Sequence, residues 1–232
     1  MQIDKHNLIF LPASIVIAAV ILAIGFSTIV KSERSVSVRG LAEKEVLADL
    51  AVWQMSFSVG DNDLVELQKK VLEKTKIAEN FLNKRGLNAS DYTIQAPSII
   101  DNSINPYMDS QKIRYTYIAK ATLLIRTNKI SEIKQAQRES LELASDNIAI
   151  SQDYENRIAF EFTKLNDIKP QMIAEATKNA KLAAEQFATL SGSEVGKIKK
   201  ATQGLFSIEN AAVGLEEKKN IRVVTQVEYL LK

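Results

Sequence analysis

Residues 191–200 read SGSEVGKIKK, and the order of elements on either side of this stretch decides the fold. Gly192, Gly196 and Lys197 come close to the glycine-rich loop that cradles nucleotide phosphates, G-x-x-x-x-G-K-[ST]. Three residues separate the glycines where four are needed, and Ile198 stands where a hydroxyl must reach magnesium. The direction is also reversed. A phosphate loop leads from a strand into a helix whose free N–H groups face the anion. Here a helix over 167–190, alanine-rich from Met172 onward, leads into a strand. Gly192 is therefore expected to be the left-handed residue that closes a helix. No nucleotide and no cofactor is expected.

Outward from this point, the pattern occurs twice. A strand over 148–163 precedes the helix, with Ile148, Ile150, Tyr154, Ile158, Phe160 and Phe162 set against Ser151, Asp153, Glu155, Arg157 and Glu161. A strand near 197–203, a long loop and a final strand over 221–231 follow it. Earlier in the chain come a strand over 46–59, a helix over 63–85 closed by Gly86, a strand over 92–100, a long loop and a strand over 113–126. Asp63 with Glu66 marks the start of the first helix. Pro97 makes its strand an edge or a bulged one. Within 46–59 the apolar parity shifts from Val46, Ala48, Leu50 and Val52 to Trp53, Met55, Phe57 and Val59, which predicts a β-bulge. The sum is an α+β fold of two β-α-β-β units joined by a helix from about Ile130 to Ala144. Its sheets are mostly antiparallel, with helices packed on one face.

The N-terminal segment is different in kind. Residues 8–30, LIFLPASIVIAAVILAIGFSTIV, carry no charge. As a helix they would run about 35 Å, against a bilayer core of about 30 Å. No small-residue cleavage site follows at Ile29-Val30-Lys31-Ser32-Glu33-Arg34, and no cysteine offers lipid attachment. The expectation is one uncleaved transmembrane signal anchor with Leu8, Ile9, Phe10, Leu11, Ile15, Val16, Ile17, Val20, Ile21, Leu22, Ile24, Phe26, Ile29 and Val30 in the bilayer. Residues 1–7 would be cytoplasmic, 31–35 a linker and 36–232 a domain in the periplasm of a bacterial inner-membrane protein. Charge alone barely orients it, since Lys5 lies on one side and Lys31 and Arg34 on the other. The orientation rests instead on a short N-terminus, one span and a large domain.

The residues of the exported part also point to a family. The segment AKLAAEQFATLSGSEVGKIKKATQGLFSI, residues 180–208, resembles the hallmark of SIMPL-domain proteins, the YggE-like periplasmic group. VSVRGLAEKEVLADLAVWQMSFSV, residues 36–59, is similar to that family's opening strands, and IRVVTQVEYLL, residues 221–231, to its last strand. The resemblance covers nearly all of the chain from Val36 onward. It implies an exported bacterial domain that self-associates, with a loose association to envelope stress protection and no catalytic residues to carry over. Many members have a cleaved signal peptide, whereas this chain is expected to keep its apolar segment as an anchor.

Composition narrows the chemistry. The 232 residues are 46% hydrophobic and 25% charged with a formal net charge of +2, which suits one sizeable core and argues against a nucleic-acid surface. Lys69, Lys70, Lys74 and Lys76 alternate with Glu66, Glu73 and Glu79, as on a solvated helix face. There is no cysteine, and the single histidine, His6, precedes the apolar segment. Thiol, Ser-His and histidine–zinc chemistry is thereby excluded beyond it. Asp61 and Asp63 read as helix capping, Asp101 and Asp109 as loop solvation. Glu216-Glu217-Lys218-Lys219 reads as an exposed turn. Tyr115, Tyr117 and Tyr154 should be core or interface residues. No catalytic or metal-binding residue is expected.

Two long hairpin loops carry apolar residues: Ile104, Pro106, Tyr107 and Met108 in one, Leu205, Phe206, Ile208 and Val213 in the other. They either fold back over the sheet or form contacts between subunits. The functional expectation is a non-enzymatic, self-associating scaffold or partner-binding module of the cell envelope. It would be a homo-oligomer held to the lipid bilayer by its N-terminal helix, with an envelope protein as a further partner. The alternative is a small-ligand binder or a carboxylate-based enzyme, for which a deep polar pocket with convergent Asp or Glu would speak.

Overall fold

The computed structural model describes residues 16, 18–22, 33–104, 114–151, 153 and 156–232. Residues 16 and 18–22 are helical and exposed, and among the described residues no helix is long and apolar enough to cross a membrane. The other positions of the expected span lie outside the described residues, as do Pro106, Tyr107, Met108, Asp109, Ile113 and Tyr154.

The element order is β1 (Ser35–Leu47), β2 (Leu50–Asp61), α1 (Leu64–Lys84), β3 (Tyr92–Ile94), β4 (Ser98–Asp101), β5 (Tyr117–Thr127) and α2 (Ile130–Glu139), which a 3-10 helix (Ser140–Asp146) continues. Then come β6 (Ala159–Glu161), α3 (Leu165–Leu190), β7 (Val195–Gln203), β8 (Ser207–Asn210) and β9 (Lys218–Leu231). One sheet runs β1-β9-β7 with β8 also on β9. The other runs β3-β5-β2-β6 with β4 also on β5. The class is α+β with two antiparallel sheets. Two compact units result, one of residues 1–42, 173–205 and 224–232, the other of residues 43–172 and 206–223.

In the larger unit, β2 and β5 pair antiparallel from Ala51↔Thr127 to Asp61↔Tyr117. Because side chains alternate across a strand, Ala51, Trp53, Met55, Phe57 and Val59 share one face with Ala119, Ala121, Leu123 and Ile125, and all are buried. Helix α1 lays Leu67, Val71, Ala78, Phe81 and Leu82 on that face, and α2 adds Ile133 and Ala136. Asp63 starts α1 as read from the sequence, its Oδ1 accepting the N–H groups of Val65 at 2.7 Å and Glu66 at 3.0 Å. Gly86, at φ +80°, ends it. The N–H groups of Gly86 and Leu87 return to the carbonyls of Asn83 and Leu82, which satisfies the last turn. The strand around Pro97 is an edge, interrupted at 95–97 into β3 and β4. Tyr117 packs on the core, and Tyr115 lays its ring against Gly60, where a Cβ would meet it at 2.4 Å.

Asp91 ties the loop after α1 to the end of β5. Its Oδ2 accepts from Lys129 Nζ at 2.7 Å and from the Asn88 N–H at 2.8 Å, and its Oδ1 accepts from the Thr127 hydroxyl at 2.8 Å. Burial pushes its carboxyl pKa up, but the bonds from Lys129, Asn88 and Thr127 outweigh burial and hold it below the ordinary value. A carboxyl with a depressed folded pKa binds fewer protons folded than unfolded. Its stabilisation is complete above about pH 4 and is lost as pH falls through the folded value. Asp91→Asn is expected to cost about 1–3 kcal/mol near neutral pH and to flatten the acid limb of the stability curve. Urea denaturation at neutral and acid pH measures both effects.

The smaller unit is built on close approach. Helix α3 presents Ala176, Ala180, Ala184 and Ala188, all buried, at spacing four along one face. Ala180 and Ala184 meet Val38 of β1 and Val227 and Tyr229 of β9. Gly192, at φ +64°, closes α3, with the N–H groups of Gly192 and Ser193 bonded to the carbonyls of Thr189 and Ala188. The glycine therefore serves the helix end.

Two sequence expectations are corrected. The parity shift near residue 50 is not a bulge within one strand. The chain leaves β1 at Leu47 and starts β2 at Leu50 in the other sheet, so each strand keeps its own parity. At the joint, the N–H groups of Ala48 and Asp49 donate to the carbonyls of Glu217 and Glu161 at 2.7 and 2.9 Å. The described residues of 148–163 do not form a long strand. They make one bridge, Phe57↔Ile150, and the three-residue β6, which pairs with β2. The first β-α-β-β unit therefore stands. The second does not, because the sheet containing β7 and β9 is completed by β1 rather than by 148–163.

Candidate functional site

Of the described apolar residues of the two hairpin loops, all but Phe206 are exposed. Ile104, Leu205 and Val213 are 78, 94 and 102% exposed, and Ile208 is also exposed. Phe206 is half-buried, with Lys169 Nζ 5.9 Å from its ring centre. Ile99 and Ile100 of the edge strand β4 are exposed as well. Beside them, Val71, Leu72, Ile94, Pro97, Ala121 and Leu123 line an apolar groove of about 400 Å³.

The carboxylates singled out in the sequence have structural partners. Asp61 Oδ1 accepts the N–H groups of Asn62 and Asp63, and its Oδ2 pairs with Lys70 at 2.5 Å. The hydrogen bond from Lys70, then those from the two N–H groups, holds its pKa down. Asp63 caps α1, and Asp101 accepts from the N–H and hydroxyl of Ser103. Among the described residues, no group of three His, Cys, Asp or Glu side chains is placed to hold a metal ion.

A polar cleft of about 920 Å³ lies elsewhere in the larger unit. Gln54 comes from the non-core face of β2, Gln137 from α2, Arg157 and Ile158 from the approach to β6, Ala159 and Phe160 from β6, Asn210 from β8, Glu216 from the turn, and Lys219 from β9. The sequence reading missed this site. Glu216-Glu217-Lys218-Lys219 is not simply an exposed turn. Glu217 is paired with Lys134, and Lys219 is 8% exposed. Asn210 and Lys219 stand directly opposite in the β8–β9 pair, and Lys219 Nζ donates to Asn210 Oδ1 at 2.5 Å. Burial pushes the Lys219 ammonium pKa down, against smaller opposing effects of Glu216 and Glu161. One sequence signal did point here. Lys219 has the parity of Ile221, Val223, Val227 and Tyr229, the buried face of β9.

A second polar pocket, about 490 Å³, shares Gln137 and Arg157 with the cleft and is also lined by Trp53, Arg138, Ser140, Ser151 and Asn156. Trp53 is 1% exposed and donates its indole N–H to the Asn156 carbonyl at 2.9 Å. Both polar atoms of the Asn156 side-chain amide are buried and have no hydrogen-bond partner among the described residues.

Among the described residues the two cavities thus combine cations and amides with one lining carboxylate, Glu216. That donor set suits holding an anion, and among the described residues it lacks the pair of carboxyl groups that glycoside hydrolysis places across the scissile bond. No curated protein matches the chain. Residues 36–229 match the sequence model of the SIMPL family, described as a protein of unknown function (DUF541).

Proposed function

The chain belongs to the SIMPL family, and on that premise we propose that it is a self-associating scaffold or partner-binding module of the bacterial envelope. Residues 8–30 anchor it in the inner membrane, and the domain from Val36 onward stands in the periplasm, with a role in envelope stress protection. The observation that carries the reading is the exposure of Ile104, Leu205 and Val213. Apolar side chains held out on loops gain free energy when a second surface removes them from water, about 25 cal/mol per Å². A reading as an enzyme lacks a comparable observation.

The test is light scattering on the full chain in detergent and on residues 33–232 without the span, over a range of concentrations. A defined oligomer is expected in both, and Leu205→Asp with Val213→Asp is expected to shift it toward monomer while circular dichroism stays unchanged. A monomer at every concentration overturns self-association. An oligomer formed only by the full chain assigns assembly to the apolar segment.

A further inference from the structure

Lys219 is a buried cation with no carboxylate in ion-pair contact among the described residues, although Glu216 and Glu161 are near enough to favour its charged form. Among the described residues its Nζ has one hydrogen-bond partner, the Asn210 amide oxygen. Three other lysines of the same unit differ. Lys218 reaches Glu45 at 3.1 Å, Lys129 reaches Asp91 at 2.7 Å, and Lys134 pairs with Glu217. Taking an ammonium out of water is costly unless an opposite charge and hydrogen bonds meet it. Here the charge borders a cleft open to small molecules.

The rest of the cleft describes what would meet it. Gln54, Gln137 and Asn210 carry side-chain amides, each both donor and acceptor, and Arg157 adds a second cationic side chain. Ala159 adds a small apolar side chain, while Ile158 and Phe160 at the same edge pack into the core. Glu216 lines the cleft too, and its carboxylate offers an acceptor. Hydroxyl groups are donors and acceptors at once, as amides are. The volume lies within the usual range for small-molecule sites, about 300–1,000 Å³.

We infer that this cleft binds a small hydroxylated acid, whose carboxylate or phosphate group pairs with the Lys219 ammonium while its hydroxyls bond to Gln54, Gln137 and Asn210. The site is independent of the self-association proposed above, and loss of either leaves the other standing.

The experiment is calorimetric titration of the full chain in detergent with three probes that share one hydroxylated body: glucuronate, glucose 6-phosphate and glucose. Saturable binding of at least one acid is expected, with glucose at least about tenfold weaker, the effect of losing a hydrogen bond to a charged group. Whichever acid binds more tightly assigns the group as carboxylate or phosphate. Lys219→Met, which keeps length and removes charge, is expected to weaken the acid by about tenfold or more. Gln54→Glu, at an exposed strand position, should weaken it by a like-charge effect and decides the matter if Lys219→Met fails to fold. Trp53, the single tryptophan of the chain, lines the adjoining pocket, so its indole N–H resonance should move with saturation. Binding of neither acid below about 10 mM overturns the inference. So does glucose binding as tightly as the acids, or Lys219→Met and Gln54→Glu both binding as the unaltered protein does.

Discussion

Gly40→Ala disrupts the packing of α3 on β1. Gly40 lies in β1 against α3, and a Cβ placed on it would stand 1.8 Å from the carbonyl oxygen of Ala176 and 2.4 Å from the nitrogen of Ala180. Both are backbone atoms of a helix interior, so no side chain can rotate away. The helix must lift from the strand by more than an ångström, and its alanine stripe is too small to refill the gap. The cluster there is small to begin with: Val38, Ala180, Ala184, Val227 and Tyr229, with Val36, Ala183 and Val195 around it. Asn179 Nδ2 also donates to the Leu41 carbonyl at 2.8 Å, a bond that the shift would break. Overpacking a close-packed site costs about 1–3 kcal/mol, and a backbone-to-backbone clash belongs at or above the top of that range. Gly192→Ala provides the contrast. Nothing lies within 4 Å of its Cβ, and its cost is the positive φ of +64°, about 1–2 kcal/mol. Hydrogen exchange on the amides of α3 should show them opening in Gly40→Ala and protected in Gly192→Ala. Unchanged protection and an unchanged denaturation midpoint in Gly40→Ala would contradict the close approach.

The second large effect is at Trp53. Its side chain is among the largest fully buried ones, in the middle of β2 with Ile125 as its cross-strand partner. Trp53→Ala is expected to cost about 3–5 kcal/mol through lost burial and an unfilled cavity. Part of that is the Asn156 carbonyl, which loses the indole N–H bonded to it at 2.9 Å. Trp53→Phe retains most of the apolar contact and removes the bond, so its smaller loss isolates the hydrogen bond, about 1–3 kcal/mol for a buried acceptor left unmet. The chain has one tryptophan, so both variants need circular dichroism rather than fluorescence to follow unfolding. A Trp53→Ala midpoint within error of the unaltered protein would contradict the burial.

What could be read from the chain, and what could not, divides by the distance over which each feature is decided. Gly86, Gly192 and Asp63 sit where the sequence put them because a helix end is settled by the dihedrals and N–H groups of its own last or first turn. Pro97 interrupts an edge strand because proline lacks the donor a central strand requires. The parity shift near residue 50 was visible, but its meaning was not. A bulge and a change of sheet give the same local alternation, and the choice depends on β9, whose Glu228 meets Ser35 across 193 positions. Residues 148–163 alternate as a strand should, yet periodicity reports which side chains are buried, not whether the backbone finds a neighbour. The N–H of Ser151 finds Ser56, and the N–H of Asn156 turns back to Asp153 instead.

The same division holds for the sites. The apolar loop residues were legible as such, because a run of large side chains between strands needs no partner to be noticed. That Ile104, Leu205 and Val213 stand in solvent rather than over the sheet depended on tertiary packing. Lys219 was hidden by its company, since three charged neighbours suggest water. Its burial follows from the β8–β9 register, which sets it opposite Asn210 and on the face of Ile221 and Val223.

By itself, then, the sequence determined the α+β class, the helix ends, the edge at Pro97 and the membership in its family, all carried by local stereochemistry or by residues in order along the chain. Only the tertiary structure decided which sheet each strand joins, how closely β1 approaches α3, and which polar side chains meet around Lys219. Those outcomes depend on residues far apart in the chain competing for the same partners, and a strand takes the neighbour that buries its apolar face and satisfies its backbone together.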